Sequence, residues 1–219
     1  MDKNKTKNTL FILAAVAAMI SGIWFGSYNQ PQKETRPAKI QGVILPVAKT
    51  ILPFNLTDHN EKQFTLENLK GHWSVLFLGY TQCPDICPAA LNTLKQVHKL
   101  MTEQNLTPPQ IVFISVDPER DTYTLLAEYV TYFNAKFMGV TGKQNQLKKL
   151  AQQLSVSFSK APVLNKKTNK DYLMNHSSAF MLINPEGKLQ SFLTAPHTPM
   201  QIIKSIMSSQ VFYNEKHKD

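Results

Sequence analysis

The sequence predicts an α/β domain, a central mixed sheet with flanking helices, set behind one N-terminal transmembrane helix. Three observations carry this. From Ile51 onward, short apolar runs alternate with segments whose apolar residues recur every three or four positions. The order is strand, helix, strand, helix, then a hairpin and a last helix, which describes helices packed on both faces of one sheet. Ahead of all this lies one uninterrupted apolar run.

That run, Leu10 to Phe25, is 16 residues long, and Asn8 to Tyr28 extends it to the ~20 residues a spanning helix needs. Lys3, Lys5 and Lys7 precede it, no charge follows until Lys33, and Trp24, Phe25 and Tyr28 stand at its far end. Lysines before the span and aromatics after it place the N-terminus in the cytoplasm and the rest outside. No convincing small-x-small cleavage site follows, as a cleaved signal peptide requires, and no lipid-attachment cysteine is present. Residues 1–28 are therefore expected to be a cytoplasmic stub and anchor in the cell inner membrane, crossing once, with the C-terminal domain facing the periplasm. Residues 29–49, with Pro31, Pro37 and Pro46 and little periodicity, read as a linker, and 50–219 as the folded domain.

Within that domain "ILPFNLTD" (51–58) reads as a strand, "HNEK" as a turn and "QFTLENLKG" (63–71) as a short strand and turn. "HWSVLFLGY" (72–80) is apolar enough for a buried central strand. Pro88 suits a first helical position, and Leu91, Leu94, Val97 and Met101 mark an amphipathic helix over 88–104. "QIVFISVD" (110–117) is the next buried strand. A helix follows over 118–134, with Asp121 or Thr122 near its N-cap and Leu125, Leu126, Tyr129, Val130 and Phe133 inward. "KFMGVTG" (136–142) is a short strand and 143–155 a helix. The lysine-rich stretch 159–172 protrudes as a loop or hairpin. "SAFMLINPEGKLQSFL" (178–193) is a hairpin turning at Asn184–Gly187, and a helix from Thr198 and Pro199 closes the chain.

Composition narrows the function. The net charge is +9, almost all of it lysine, and only Arg36 and Arg120 are arginines. The arginine clusters interleaved with aromatics that mark a nucleic-acid binder are missing, so no nucleic-acid partner is expected. A lysine-rich surface is either plain solvated surface or an attraction for an acidic partner or anionic lipid.

The only two cysteines, Cys83 and Cys87, fall in "GYTQCPDICPAAL", between a strand's C-terminal end and a helix N-terminus. Such junctions gather active groups. Outside the cytoplasm two cysteines usually form a structural disulfide. A bridge across three intervening residues closes a very short loop and adds little stability, so structure explains this pair poorly. The helix N-terminus is expected to lower the thiol pKa, and a thiolate serves equally as nucleophile and metal ligand. Of the six histidines, His176 lies just before the hairpin, where in thioredoxin-like domains the loop packs beside the thiols. Ser177 and Ser178 occupy the place where redox members of that fold carry a cis proline. Two thiolates and one imidazole suit a soft metal, Cu(I) best, whereas zinc would want a fourth ligand.

Together "FLGYTQCPDICP", "FISVDPERDT" and "DYLMNHSSAFMLINPEGKL" resemble the Sco/SenC family of membrane-anchored copper-binding proteins over about residues 50–210. The resemblance implies a thioredoxin-like fold. It also implies copper, as Cu(I) or Cu(II), held by Cys83, Cys87 and His176. The implied role is to deliver copper to, or reduce, the binuclear copper site of cytochrome c oxidase. The implied partners are the chain's own membrane, the oxidase's copper-bearing subunit or another copper carrier. Asn175 departs from the aspartate many members carry, and Met174 is a soft atom near His176 for which packing is the plainer role. Asp117 and Asp121 match the second motif, with helix entry and capping as their plain reading. The function expected is a copper chaperone that passes its ion by ligand exchange without turning over a substrate. The alternative is a thiol–disulfide reductase, with Cys83 and Cys87 as its redox pair, acting on the oxidase's copper-ligand cysteines. A peroxidase is disfavoured, because thioredoxin-like peroxidases carry their reactive cysteine in a different local motif.

Overall fold

The computed structural model describes residues 13, 15–25, 40–162 and 172–217. The chain divides into two units, Met1–Thr35 and Arg36–Asp219. In the first, residues 15–25 are helical and exposed. Among the described residues no helix is long and apolar enough to cross a membrane. The expected anchor over 1–28 lies partly outside the described residues, as does the expected linker through residue 39.

The second unit is built on an eight-stranded mixed sheet. Its strands are β1 (Gly42–Lys49), β2 (Asn55–Asp58), β3 (Gln63–Thr65), β4 (Ser74–Gly79), β5 (Gln110–Ser115), β6 (Met138–Thr141), β9 (Phe180–Ile183) and β10 (Leu189–Leu193), in the order β1-β10-β9-β4-β5-β6-β2-β3. β7 (Phe158–Pro162) and β8 (Tyr172–His176) form a separate two-stranded arm. The helices are α1 (Ile86–Glu103), α2 (Tyr123–Phe133), α3 (Gln144–Gln153) and α4 (Pro199–Lys216). β4, β5 and β6 run parallel, with β5 reached through α1 and β6 through α2, and the other pairs are antiparallel.

β4 is buried along its whole length because it lies mid-sheet, between β9 and β5. Phe77 is fully buried there, and removing a phenylalanine side chain from water stabilises a fold by roughly 1.5–3 kcal/mol. α1 lays Ala90, Leu91, Leu94, Val97 and Met101 against this core, at the spacing the sequence predicts. Thr122 caps α2 by accepting from the Leu125 N–H, and Thr198 caps α4 by accepting from Gln201.

Four details differ from the sequence expectation. Residues 42–49, read as the end of the linker, are a strand paired with β10, some 150 residues further on. β2 begins only at Asn55, since Pro53 has no N–H for a ladder. α1 begins two residues early, so Pro88 is its third residue, where the N–H would be unpaired in any case. Leu125 is 36% exposed, while Leu126, Val130 and Phe133 do face the core. The predicted hairpin within 159–172 is realised as the β7–β8 arm at its two ends, and residues 163–171 lie outside the described residues.

Candidate metal centre

Three separated segments build the site. β4 ends at Gly79, and the chain turns through Tyr80, whose carbonyl accepts from the Cys83 N–H at 3.2 Å. Cys87 occupies the second position of α1, so its N–H is one of the helix's unpaired donors, and it donates to the Cys83 sulfur at 3.3 Å. His176, the last residue of β8, brings its Nε2 to 3.4 Å from the Cys87 Sγ. One ligand atom each from Cys83, Cys87 and His176 lies within 4.8 Å of the others. Among the described residues this is the group of histidine, cysteine and carboxylate side chains placed to share a metal ion.

The imidazole is oriented for that task. Its Nδ1–H donates to the Ser177 carbonyl at 3.0 Å, which leaves the Nε2 lone pair facing the sulfurs. Burial holds its pKa below the ordinary histidine value, a trend the Ser177 bond opposes, so the ring is neutral and able to ligate. Phe77 and Tyr80 stand edge-on to it, each with ring centroids 6.0 Å away. The group that orients the ring is thus a backbone carbonyl, and Asn175 is exposed on β8. Met174 is buried and belongs to the hydrophobic core.

Cys87 departs from expectation. Cys87 is fully buried, and desolvation pushes its pKa far up, with the neighbouring Cys83 charge adding to the rise. The predicted lowering at a helix N-terminus is therefore overridden at Cys87. Cys83 is partly exposed, and both cysteines are free thiols. Gly79 makes room for the buried sulfur: a Cβ there would stand 2.7 Å from the Cys87 Sγ and 2.4 Å from the Phe113 ring.

Asp117 and Asp121 lie outside that three-residue group, and neither caps α2. Asp121 reaches back to the thiol loop, accepting from the Thr81 N–H at 2.9 Å, the Thr81 hydroxyl at 2.6 Å and the Ser115 hydroxyl at 2.5 Å. Burial raises its pKa, against the lowering by those bonds. Asp117 pairs with Arg120 and accepts from the Tyr172 hydroxyl at 2.6 Å. Sequence reasoning also passed over His197. Its ring stacks on Phe180 at 4.0 Å, and its Nε2–H donates to the Ser178 carbonyl at 2.8 Å, pinning the segment that follows His176. Elsewhere, His59 accepts from the Gly139 N–H, His72 binds Gln110, and His217 binds Tyr213 and Glu186.

Comparison with known proteins shows a family and a shared fold. Residues 45–210 fit the family model described as SCO1/SenC. The mitochondrial protein SCO2 of Saccharomyces cerevisiae is 44% identical over 136 residues, which are 62% of this chain and 44% of the yeast protein. That likeness thus spans less than half of the yeast protein's length. Copper-bound ScoI of Arabidopsis thaliana is 33% identical, with a TM-score of 0.67 over 75% of this chain and 99% of that one. Copper-bound yeast Sco1 is 31% identical, with a TM-score of 0.65 over 77% of this chain and 87% of that one.

Proposed function

Because the chain belongs to the SCO1/SenC family, whose thioredoxin-like fold it shares, we propose that it is a copper carrier that supports assembly of the binuclear copper site of cytochrome c oxidase. One observation carries this reading: Cys83, Cys87 and His176, drawn from three segments, converge within 4.8 Å. Two sulfurs and one neutral imidazole form a soft donor set that favours Cu(I) over Ca²⁺, Mg²⁺ or a four-ligand zinc site. Copper is cargo here. The Cys87 proton is held by burial until the ion displaces it, so uptake releases protons and rising pH favours it. Cys83, the more exposed sulfur, is the side from which an incoming thiolate exchanges. The recipient is the oxidase's copper-bearing subunit or another copper carrier. The chain works tethered to the inner membrane through residues 1–28, with the domain in the periplasm.

A second reading is favoured by the closeness of the two free thiols, which suits reversible disulfide formation and reduction of the oxidase's copper-ligand cysteines. His176→Ala separates the two. It keeps both thiols, so disulfide chemistry survives, while Cu(I) affinity falls and oxidase assembly fails at limiting copper. Full oxidase assembly by His176→Ala at limiting copper would overturn the carrier reading and establish the reductase.

A further inference from the structure

The thiols and the histidine are held by different parts of the fold. Cys83 and Cys87 follow β4, in the middle of the main sheet, whereas His176 ends β8, a strand of the separate two-stranded arm. Main-sheet register therefore does not by itself set the distance between imidazole and sulfur. The turn between β5 and α2 reaches both sides. Asp121 binds Thr81, two residues before Cys83. Arg120 donates from Nη1 to the carbonyl of Tyr172, four residues before His176, at 2.9 Å. The Tyr172 hydroxyl donates to Asp117, and Asp117 also pairs with the Arg120 Nε.

This cluster is built rather than incidental. The Arg120 and Asp117 side chains are 5% and 1% exposed. A charged pair that far from water is retained only where geometry and added hydrogen bonds offset its desolvation. The Arg120 guanidinium lies 3.8 Å from the Tyr172 ring centroid and 5.5 Å from that of Tyr80. Tyr80 in turn stands edge-on to His176. A planar cation over aromatic rings, with one nitrogen on a strand carbonyl and another on a carboxylate, fixes orientation as a lysine ammonium does not.

Resting on the copper-site reading above, we propose that Asp117, Arg120 and Tyr172 are the positioning residues of His176. They lock β8 against the thiol segment so that Nε2 meets the sulfurs, and they leave the thiols' own placement to Asp121 and α1. Groups that orient a metal-binding histidine typically contribute 10–100-fold to metal affinity.

The test measures Cu(I) affinity of the full chain by competition with a colorimetric Cu(I) chelator. It also measures the thiol–disulfide equilibrium with glutathione in the copper-free protein and the His176 imidazole resonances by NMR. Arg120→Lys should weaken Cu(I) binding about tenfold, and Tyr172→Phe, which keeps the ring and the carbonyl, about threefold. Both should shift the His176 resonances and change the glutathione equilibrium less than twofold. In a His176→Ala background neither should weaken copper binding further, because the residue they act through is gone. Affinity unchanged in both variants, or a loss that persists in the His176→Ala background, overturns the inference. If Arg120→Lys does not fold, Tyr172→Phe carries the test. If His176→Ala binds Cu(I) as tightly as the natural chain, the copper-site reading fails, and the resonances of His176 still decide whether these residues place it.

Discussion

Gly79 offers a direct measure of how tightly the buried thiol is packed. Its backbone φ is ordinary, so alanine is not excluded by conformation; it is excluded by space. The added methyl would lie 2.4 and 2.9 Å from two Phe113 ring carbons and 2.7 Å from the Cys87 Sγ. Ordinary contact starts near 3.4 Å, so both neighbours must give by roughly 0.7–1 Å. Neither gives easily, since Phe113 and Cys87 are both fully buried. Overpacking of this kind costs about 1–3 kcal/mol. Taking about 2 kcal/mol per molar for urea, Gly79→Ala should lower the unfolding midpoint of the copper-free protein by about 1 M. Sulfur displacement should also weaken Cu(I) binding, because a metal tolerates ligand errors of only about 0.2 Å. Phe113→Leu in the same chain vacates the ring edge, so the double variant should be more stable than the sum of the two single effects predicts. A Gly79→Ala protein with an unchanged midpoint and unchanged copper affinity would show that β4 shifts freely, and the packing argument would fail.

Burial holds His197 and His176 below the ordinary histidine pKa of 6.5, so the folded, copper-free protein binds fewer protons than the unfolded chain as the solution is acidified. Their contribution to stability is complete above about pH 6.5 and declines as pH falls through the folded values. Urea midpoints measured between pH 8 and pH 5 should drop, and His197→Gln should flatten the drop; an identical pH slope in the variant would remove His197 from the account. The charge asymmetry around residues 10–28 predicts that a reporter fused after Asp219 is active only outside the cytoplasm. Release of a shortened soluble protein into the periplasm would refute the anchor.

What could be read from the sequence was whatever depends on near neighbours. β4, α1 and β5 were legible because a run such as "SVLFLG" and the recurrence of Leu91, Leu94, Val97 and Met101 are local patterns with one solution each. The cysteine pair was legible from its position between strand and helix. His176 was legible only by its place before the hairpin and through the family resemblance. What stayed hidden depends on distant partners. β1 looked like linker because its pairing with β10 leaves no periodicity that Pro46 does not interrupt. Asp121 looked like a helix cap, but its hydroxyl partner Thr81 lies 40 positions away, and Asp117 meets Tyr172 across 55. Thr122, one residue later, caps the helix and frees Asp121 for the thiol loop.

The thiol chemistry shows how magnitude decides between two sound local arguments. A helix N-terminus stabilises a nearby anion by typically 0.3–1 kcal/mol, up to about 2 when partly buried. Full burial can shift an ionisable group by as much as 3–5 pKa units, each worth about 1.4 kcal/mol. Cys87 has both, with its N–H in the first turn of α1 and its side chain fully buried beside Gly79, and burial wins. The sequence could place Cys87 at a helix terminus but not on its inward face, because that depends on α1 starting at Ile86 rather than at Pro88. Two residues of helix start take the second cysteine from a helix terminus, where a lowered pKa is expected, to a buried position where the pKa is raised. That leaves the pair asymmetric: Cys83 is partly exposed, whereas Cys87 is buried with its sulfur 3.4 Å from the His176 Nε2.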